Sequence, residues 1–181
     1  MKGIILAWEA RYPEAIAEHE RALALDPSNV VAASYLGWDY ARSGRFDKGI
    51  EYFDKAILAS PYDSQLAHFY GGKAWANFGL KNYDQAIEAA RQAIAVNPNS
   101  GGVQYIHATL VAALALAGHE TEAREALQRY LALPSTGGLK TIAAIKAYYN
   151  SQAPKQGGDS SFLEVSERTY DGLRKAGMPE E

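Results

Sequence analysis

The sequence predicts an all-α chain of stacked antiparallel helix hairpins finished by two C-terminal capping helices, and three observations carry that prediction. First, small or apolar residues recur at helical spacing through Ala33, Leu36, Gly37 and Tyr40, and again, after a Ser43-Gly44-Arg45 turn, through Gly49, Ile50, Phe53, Ala56 and Ile57. Second, Asp26-Pro27, Ser60-Pro61 and Asn97-Pro98 punctuate the chain, 34 residues from Pro27 to Pro61 and 37 from Pro61 to Pro98. Each proline disfavours helix at the residue before it and so ends one hairpin, and a period with a small insertion is the mark of a solenoid. Third, Tyr12, Ala15, His19, Ala22 and Pro27 repeat the roles of Phe46, Gly49, Phe53, Ala56 and Pro61.

Taken in order, residues 1–134 form the array, divided at 1–29, 30–63, 64–100 and 101–134. The first unit has lost the opening of its first helix, which suggests a preceding segment or a partner chain against Ile4, Ile5, Leu6 and Trp8. The third unit places Gly72, Trp75, Gly79, Tyr83, Ala86, Ala93 and Pro98 in the repeated roles. Its three extra residues are divided between the approach to its first helix and the Gly79-Leu80-Lys81-Asn82 turn. In the fourth, Leu110 and Leu114 precede an Ala117-Gly118-His119 turn, and Glu120/Arg124 and Glu125/Arg129 stand acid before base at i,i+4, as on an exposed helix face. After Pro134 the period stops. Residues 135–181 are read as a helix over Leu139–Asn150, a loop over Ser151–Ser160 and a helix opened by a Ser161/Glu164 capping box and stopped by Gly177 and Pro179.

At 181 residues, 48% hydrophobic and 22% charged, the chain can bury a core. With no cysteine it has neither disulfides nor thiolate metal sites, which fits a reducing cytoplasm. Glu9 and Arg11 close the N-terminal apolar run too early for a signal peptide, and no stretch approaches the roughly 18 apolar residues of a spanning helix. The expectation is a soluble, cytoplasmic protein without membrane insertion. A net charge of -3 with no dense Lys/Arg block argues against direct nucleic-acid binding.

Nothing in the sequence assembles a catalytic, cofactor or metal centre. His19, His68 and His107 fall at positions that pack between helices, His119 sits in a turn, and no two histidines have ligand spacing. The glycine pairs at 71–72, 101–102, 137–138 and 157–158 match no phosphate-loop motif, and Ser34, Ser43 and Ser135 lie in no nucleophile elbow. The functional candidates are instead on the first helix of each hairpin, because a stack of hairpins curves and lines its concave face with those helices. Repeat register assigns that face Ser34, Trp38 and Arg42 from the second unit, Phe69, Lys73 and Asn77 from the third, and Tyr105, Ala108 and Ala112 from the fourth. Trp38 with Arg42 one turn away is an aromatic anchor beside a charged clamp, the composition of a binding hot spot for a protein or peptide segment. The reading that Trp38 simply packs against a neighbouring helix stands beside it. The apolar N-terminal edge offers a second use, self-association.

The pattern of Leu36, Gly37, Tyr40, Phe53 and Pro61 resembles the tetratricopeptide repeat, with Ala33 where tryptophan is usual and Gly49 where alanine is usual. The resemblance implies a superhelix of hairpins and a non-catalytic interaction scaffold. Some members clamp the acidic C-terminal peptide of chaperones with Lys and Asn; the corresponding inner positions here carry Ile4, Tyr35 and Trp38, so that clamp is not carried over. Residues 67–99, 115–133 and the terminal Gly172-Leu173-Arg174-Lys175-Ala176-Gly177-Met178-Pro179 also resemble the C-terminal repeat region of bacterial class III adenylate/guanylate cyclases, a region found in some winged-helix regulators too. That likeness implies the regulatory part of a signalling protein whose catalytic domain lies elsewhere.

Overall fold

A computed structural model of the chain describes residues 2–98, 103–134, 139–156 and 160–181. These form ten helices: α1 (Lys2–Trp8), α2 (Tyr12–Leu25), α3 (Val30–Arg42), α4 (Phe46–Ala59), α5 (Leu66–Gly79), α6 (Tyr83–Val96), α7 (Val103–Ala117), α8 (Glu120–Ala132), α9 (Ile142–Gln156) and α10 (Ser160–Ala176). No strand occurs among the described residues. The first eight pair as α1/α2, α3/α4, α5/α6 and α7/α8, and each packs on the next, so the chain is a stack of hairpins. Of the glycine pairs noted above, 101–102, 137–138 and 157–158 involve residues outside those described, as does Ser135.

The proline punctuation acts as expected. Asp26, Ser60 and Asn97, each directly before a proline, are extended and end α2, α4 and α6. Asn29 then caps α3, its side chain accepting from the Ala32 amide at 2.9 Å.

Within the hairpins the turn is the same structure four times. The amide of Arg11 donates to Leu6, Arg45 to Tyr40, Asn82 to Asn77 and His119 to Leu114, all at 2.9 Å. Ala10, Gly44, Lys81 and Gly118 stand one residue before these donors with positive φ, the left-handed helix stop. These bonds fix the register independently of sequence. Tyr40 to Asn77 and Asn77 to Leu114 are both steps of 37 residues, so none of the three extra residues of the third unit lies in its turn: two lengthen the connection between α4 and α5 and one lengthens α5 itself. This corrects the division expected from sequence. An insertion in the loop between units leaves the tightly bonded turn unchanged, whereas one inside the turn would break its hydrogen bond.

Small residues set the hairpin crossing. A β-carbon on Gly49 would stand 2.9 Å from the carbonyl oxygen of Gly37, so α4 approaches α3 more closely than alanine allows. Phe53, fully buried, fills the space beside that crossing.

The last two helices depart from expectation in extent and in place. α9 starts three residues later than the sequence pattern suggested and continues through Gln156, past Pro154, so most of the stretch expected as a loop over Ser151–Ser160 is helix; residues 157–159 lie outside those described. Pro154 sits in the last turn of this helix, so the backbone hydrogen bond it forfeits interrupts only the end of α9. Ser161 lies inside α10, and Glu164 pairs with Arg168 at 2.7 Å one turn on instead of closing a capping box. The amides of Ile142 and Ala143 donate to the carbonyls of Pro179 and Glu180, which ties the start of α9 to the tail of α10. This hairpin covers the last unit, but it also extends along the concave face: α10 packs on α7, α8 and α5, and α9 approaches α1.

α7 shows why. Its sequence VQYIHATLVAALALA has no polar face, and Ile106 to Ala115 are all buried. A helix apolar all round needs cover on every side. α6 and α8 supply it from the array, and α10 supplies the rest.

Candidate functional site

The turn hydrogen bonds align the concave face in rows: Ser34, Gly71 and Ala108; Trp38, Trp75 and Ala112; Arg42, Gly79 and Leu116. For the second unit, and for Ala108 and Ala112 of the fourth, this is the assignment drawn from sequence. The third unit differs by two residues, because its insertion lies wholly ahead of the α5–α6 turn. Phe69 is buried against Ala33 and Ala56 between units. Lys73 reaches Asp54 of α4 at 2.6 Å, and the Asn77 side chain donates to the Lys73 carbonyl at 2.9 Å. Trp75 and Gly79 are the residues equivalent by register to Trp38 and Arg42. Tyr105, one turn before Ala108, extends over Gly71 toward Trp38.

Trp38 is 6% exposed and stands at the middle of an aromatic cluster. Its ring centroid lies 5.4 Å from Phe53, 5.1 Å from His68, 6.2 Å from Trp75 and 5.8 Å from Tyr105, with edge-on geometry to Phe53 and Tyr105. The Arg42 guanidinium carbon is 5.2 Å from the Trp38 ring, so the two residues are joined as a cation–π pair. Two polar atoms in the cluster, Trp38 Nε1 and the Tyr105 hydroxyl, are buried with no hydrogen-bond partner. Burial pushes the Tyr105 phenol above its ordinary value.

Burial, with the Arg42 charge adding to it, pulls His68 down to about 4. His68 is therefore neutral in the folded state at pH 7. Between its unfolded value near 6.5 and the folded value the unfolded chain binds the extra proton, so stability is lost as pH falls through that window. Burial also lowers His107, with the same sign. Desolvation raises Asp39, whose effect runs the other way. We predict a loss of about 2 kcal/mol from His68 between pH 7 and 4, discounted from the full shift because the ring is partly exposed. His68→Gln should flatten the fall of Tm with acid, and an unchanged slope would contradict the assignment.

The hairpin of α9 and α10 occupies this face. The Phe162 ring lies 6.3 Å from Trp75 in a tilted arrangement and 6.2 Å from Tyr149 edge-on. Arg168 donates from Nη1 to the carbonyls of Phe78 and Gly79, both at 2.9 Å, at the C-terminal end of α5 where carbonyls lack helical partners and the helix dipole is negative. Gly172 lies against Ala112. Sequence reasoning did not foresee this occupant; the signal for it was the missing polar face of α7.

A second feature escaped the sequence reading. His19 Nδ1 and Asp39 Oδ2 are 2.7 Å apart between the first and second units, and both side chains are buried. The His19 ring stacks on Tyr35 at 5.6 Å, and Asp39 Oδ1 has no partner. An acid between Trp38 and Tyr40 in an otherwise apolar helix was the available signal. At the N-terminal edge Ile5 is 57% and Trp8 72% exposed. On the convex side a cleft of about 240 Å³ between α6 and α8 is lined by His107, Arg91 and Arg129, with Arg91 paired to Glu122. Among the described residues no three His, Asp or Glu side chains gather as a metal site, and no helix is long and apolar enough to cross a membrane.

A curved stack of helix hairpins with an aromatic concave face defines a helical-repeat protein. Residues 36–63 and 67–100 match the tetratricopeptide repeat model, and the fold is the tetratricopeptide-repeat superhelix. A curated relative, Hsp70-Hsp90 organizing protein 1 of Glycine max, is 29% identical over 99 residues, which are 55% of this chain but only 17% of that protein. Among solved structures, MamA superposes with a TM-score of 0.66 at 21% identity, covering 96% of this chain and 95% of its own. YrrB, described as a tetratricopeptide protein with an unusual peptide-binding site, gives 0.62 at 19% identity over 96% of this chain and 80% of its own. These likenesses are of fold.

Proposed function

We propose that this chain is a non-catalytic protein-interaction scaffold that receives a segment of a partner protein on its concave face beside Arg42 and Trp38. The observation that carries this is the cation–π pair at the centre of the face, next to buried donors without partners. The peptide-binding site named for YrrB and the Hsp70-Hsp90 organizing protein among the relatives support a scaffold role. The resemblance of the repeats and of the 172–179 segment to cyclase-associated regions supports a regulatory setting, next to a nucleotide cyclase or a winged-helix regulator. Self-association through Ile5 and Trp8 is the second reading, favoured by their exposure.

Trp38 is too deeply packed to serve as a clean probe, since truncating it would cost about 3–5 kcal/mol of stability. Arg42→Glu is the better test. Segments selected from a peptide display library on the immobilised chain should bind the variant at least about tenfold more weakly, with Tm within a few degrees of the parent. Equal affinity would remove the groove reading. Light scattering of the same samples over a concentration series addresses the second reading, which a monomer throughout would eliminate.

A further inference from the structure

α7 carries one imidazole in its apolar run, and that imidazole is unsatisfied. His107 is 7% exposed, and its Nε2 is buried with no hydrogen-bond partner. Buried polar groups in folded proteins are paired almost without exception, so an orphan that borders a cavity marks the place of a missing partner. The cavity is the cleft between α6 and α8, which His107 lines. Its walls are otherwise largely apolar, with Ile94 from α6, Leu110 and Leu114 from α7 and Ala126 from α8. At about 240 Å³ it holds the liquid volume of about eight water molecules, or a ligand of about that many non-hydrogen atoms.

Charge is confined to the rim. Arg91 pairs with Glu122 and so ties α6 to α8, Glu122 also lies 3.6 Å from His119 Nδ1, and Arg129 lies 3.6 Å from Glu125. The two arginines and two glutamates are half-exposed or more, so these pairs are weak and exchange readily with another ion. Burial first and the Arg129 charge second hold the His107 imidazole below its ordinary value, and no carboxylate among the described residues offsets them. The ring is therefore neutral at pH 7, keeps one N–H, and sits in the field of a cation.

We propose that this cleft is a binding site for a small acid with a short hydrocarbon tail, its carboxylate accepting from His107 Nε2 and Arg129 and its tail lying on Leu110, Leu114 and Ile94. An apolar cavity with a few convergent polar groups is the usual form of a small-molecule site. The site is separate from the concave face and does not depend on the groove reading. An alcohol would satisfy the imidazole but leave Arg129 unused, and an amine would meet a guanidinium. The small volume, with α6 and α8 tied across it by Arg91 and Glu122, favours a free acid over the end of a polypeptide.

The test titrates the full chain with hexanoate, hexan-1-ol and hexylamine by calorimetry. Hexanoate should saturate with a Kd below about 1 mM, the alcohol should bind at least about tenfold more weakly, and the amine should not bind. His107→Phe and Arg129→Gln should each weaken hexanoate at least about tenfold, whereas Glu125→Gln, which frees Arg129, should tighten it. Ala95→Trp, at an exposed position on the cleft wall, should abolish binding with Tm within a few degrees of the parent, which separates blockage from misfolding. In NMR spectra the midpoint of the His107 ring titration should move upward when hexanoate is bound, because an anion favours the imidazolium. No saturable binding of hexanoate, equal binding of acid and alcohol, or a His107 titration that hexanoate leaves unmoved would overturn the site. A short peptide ending in a free leucine carboxylate that binds more tightly than hexanoate would overturn the small acid in favour of a chain end.

Discussion

Gly172→Val should lower stability by about 3 kcal/mol or more, a fall in Tm of roughly 6–12 °C for a chain of this size. A β-carbon at position 172 would stand 2.6 Å from the Ala112 α-carbon, a backbone atom that cannot rotate away. The helices must separate, and α7 then loses cover on a side that has no polar residues to offer to water. Tryptophan emission should shift to the red as Phe162 leaves Trp75. Gly177→Ala is the control: it also replaces a glycine in this segment, but no atom lies within 4 Å of a β-carbon there. Its cost is that of a left-handed backbone alone, about 1 kcal/mol. Equal Tm values for the two variants would show that the contact does not set the stability.

His19→Leu should cost about 3–5 kcal/mol, because it leaves the Asp39 carboxylate in the interior with no partner on either oxygen. Asp39 is 0% exposed and already has one oxygen unpaired, so no solvent compensates. Replacing both residues with leucine should restore part of the loss, since a buried pair exchanged for apolar packing is often near neutral. Urea denaturation of the parent, the two single variants and the double variant gives the coupling energy directly. Additive losses would mean that the two side chains do not act as a pair.

The parts of the fold that could be read from sequence are those set by local chemistry. Prolines at 27, 61 and 98 exclude helix before them, and the small residues at 37 and 49 mark a close crossing, so hairpin order follows from residue type and spacing. The contact between Trp38 and Arg42, one turn apart on α3, follows from spacing in the same way. The third-unit register was not legible. Spacing between prolines states that three residues are added but not where, and only the repeated turn hydrogen bonds place them ahead of the α5–α6 turn. The position of α10 was hidden for a different reason: an amphipathic helix declares that one face is buried, not which surface buries it. The partner information lay in α7, whose uniformly apolar sequence required a cover that α6 and α8 do not complete.

The contact between α7 and α10 also changes how this chain must fold. A repeat array ordinarily gains stability from neighbour to neighbour, so structure can start at any unit and spread, and its contacts are short in sequence. Here α7 is completed by α10, three helices further along the chain. The final step is therefore a long-range closure, made after the local hairpins and slower than they are, and until it occurs the sticky flank of α7 is open to aggregation.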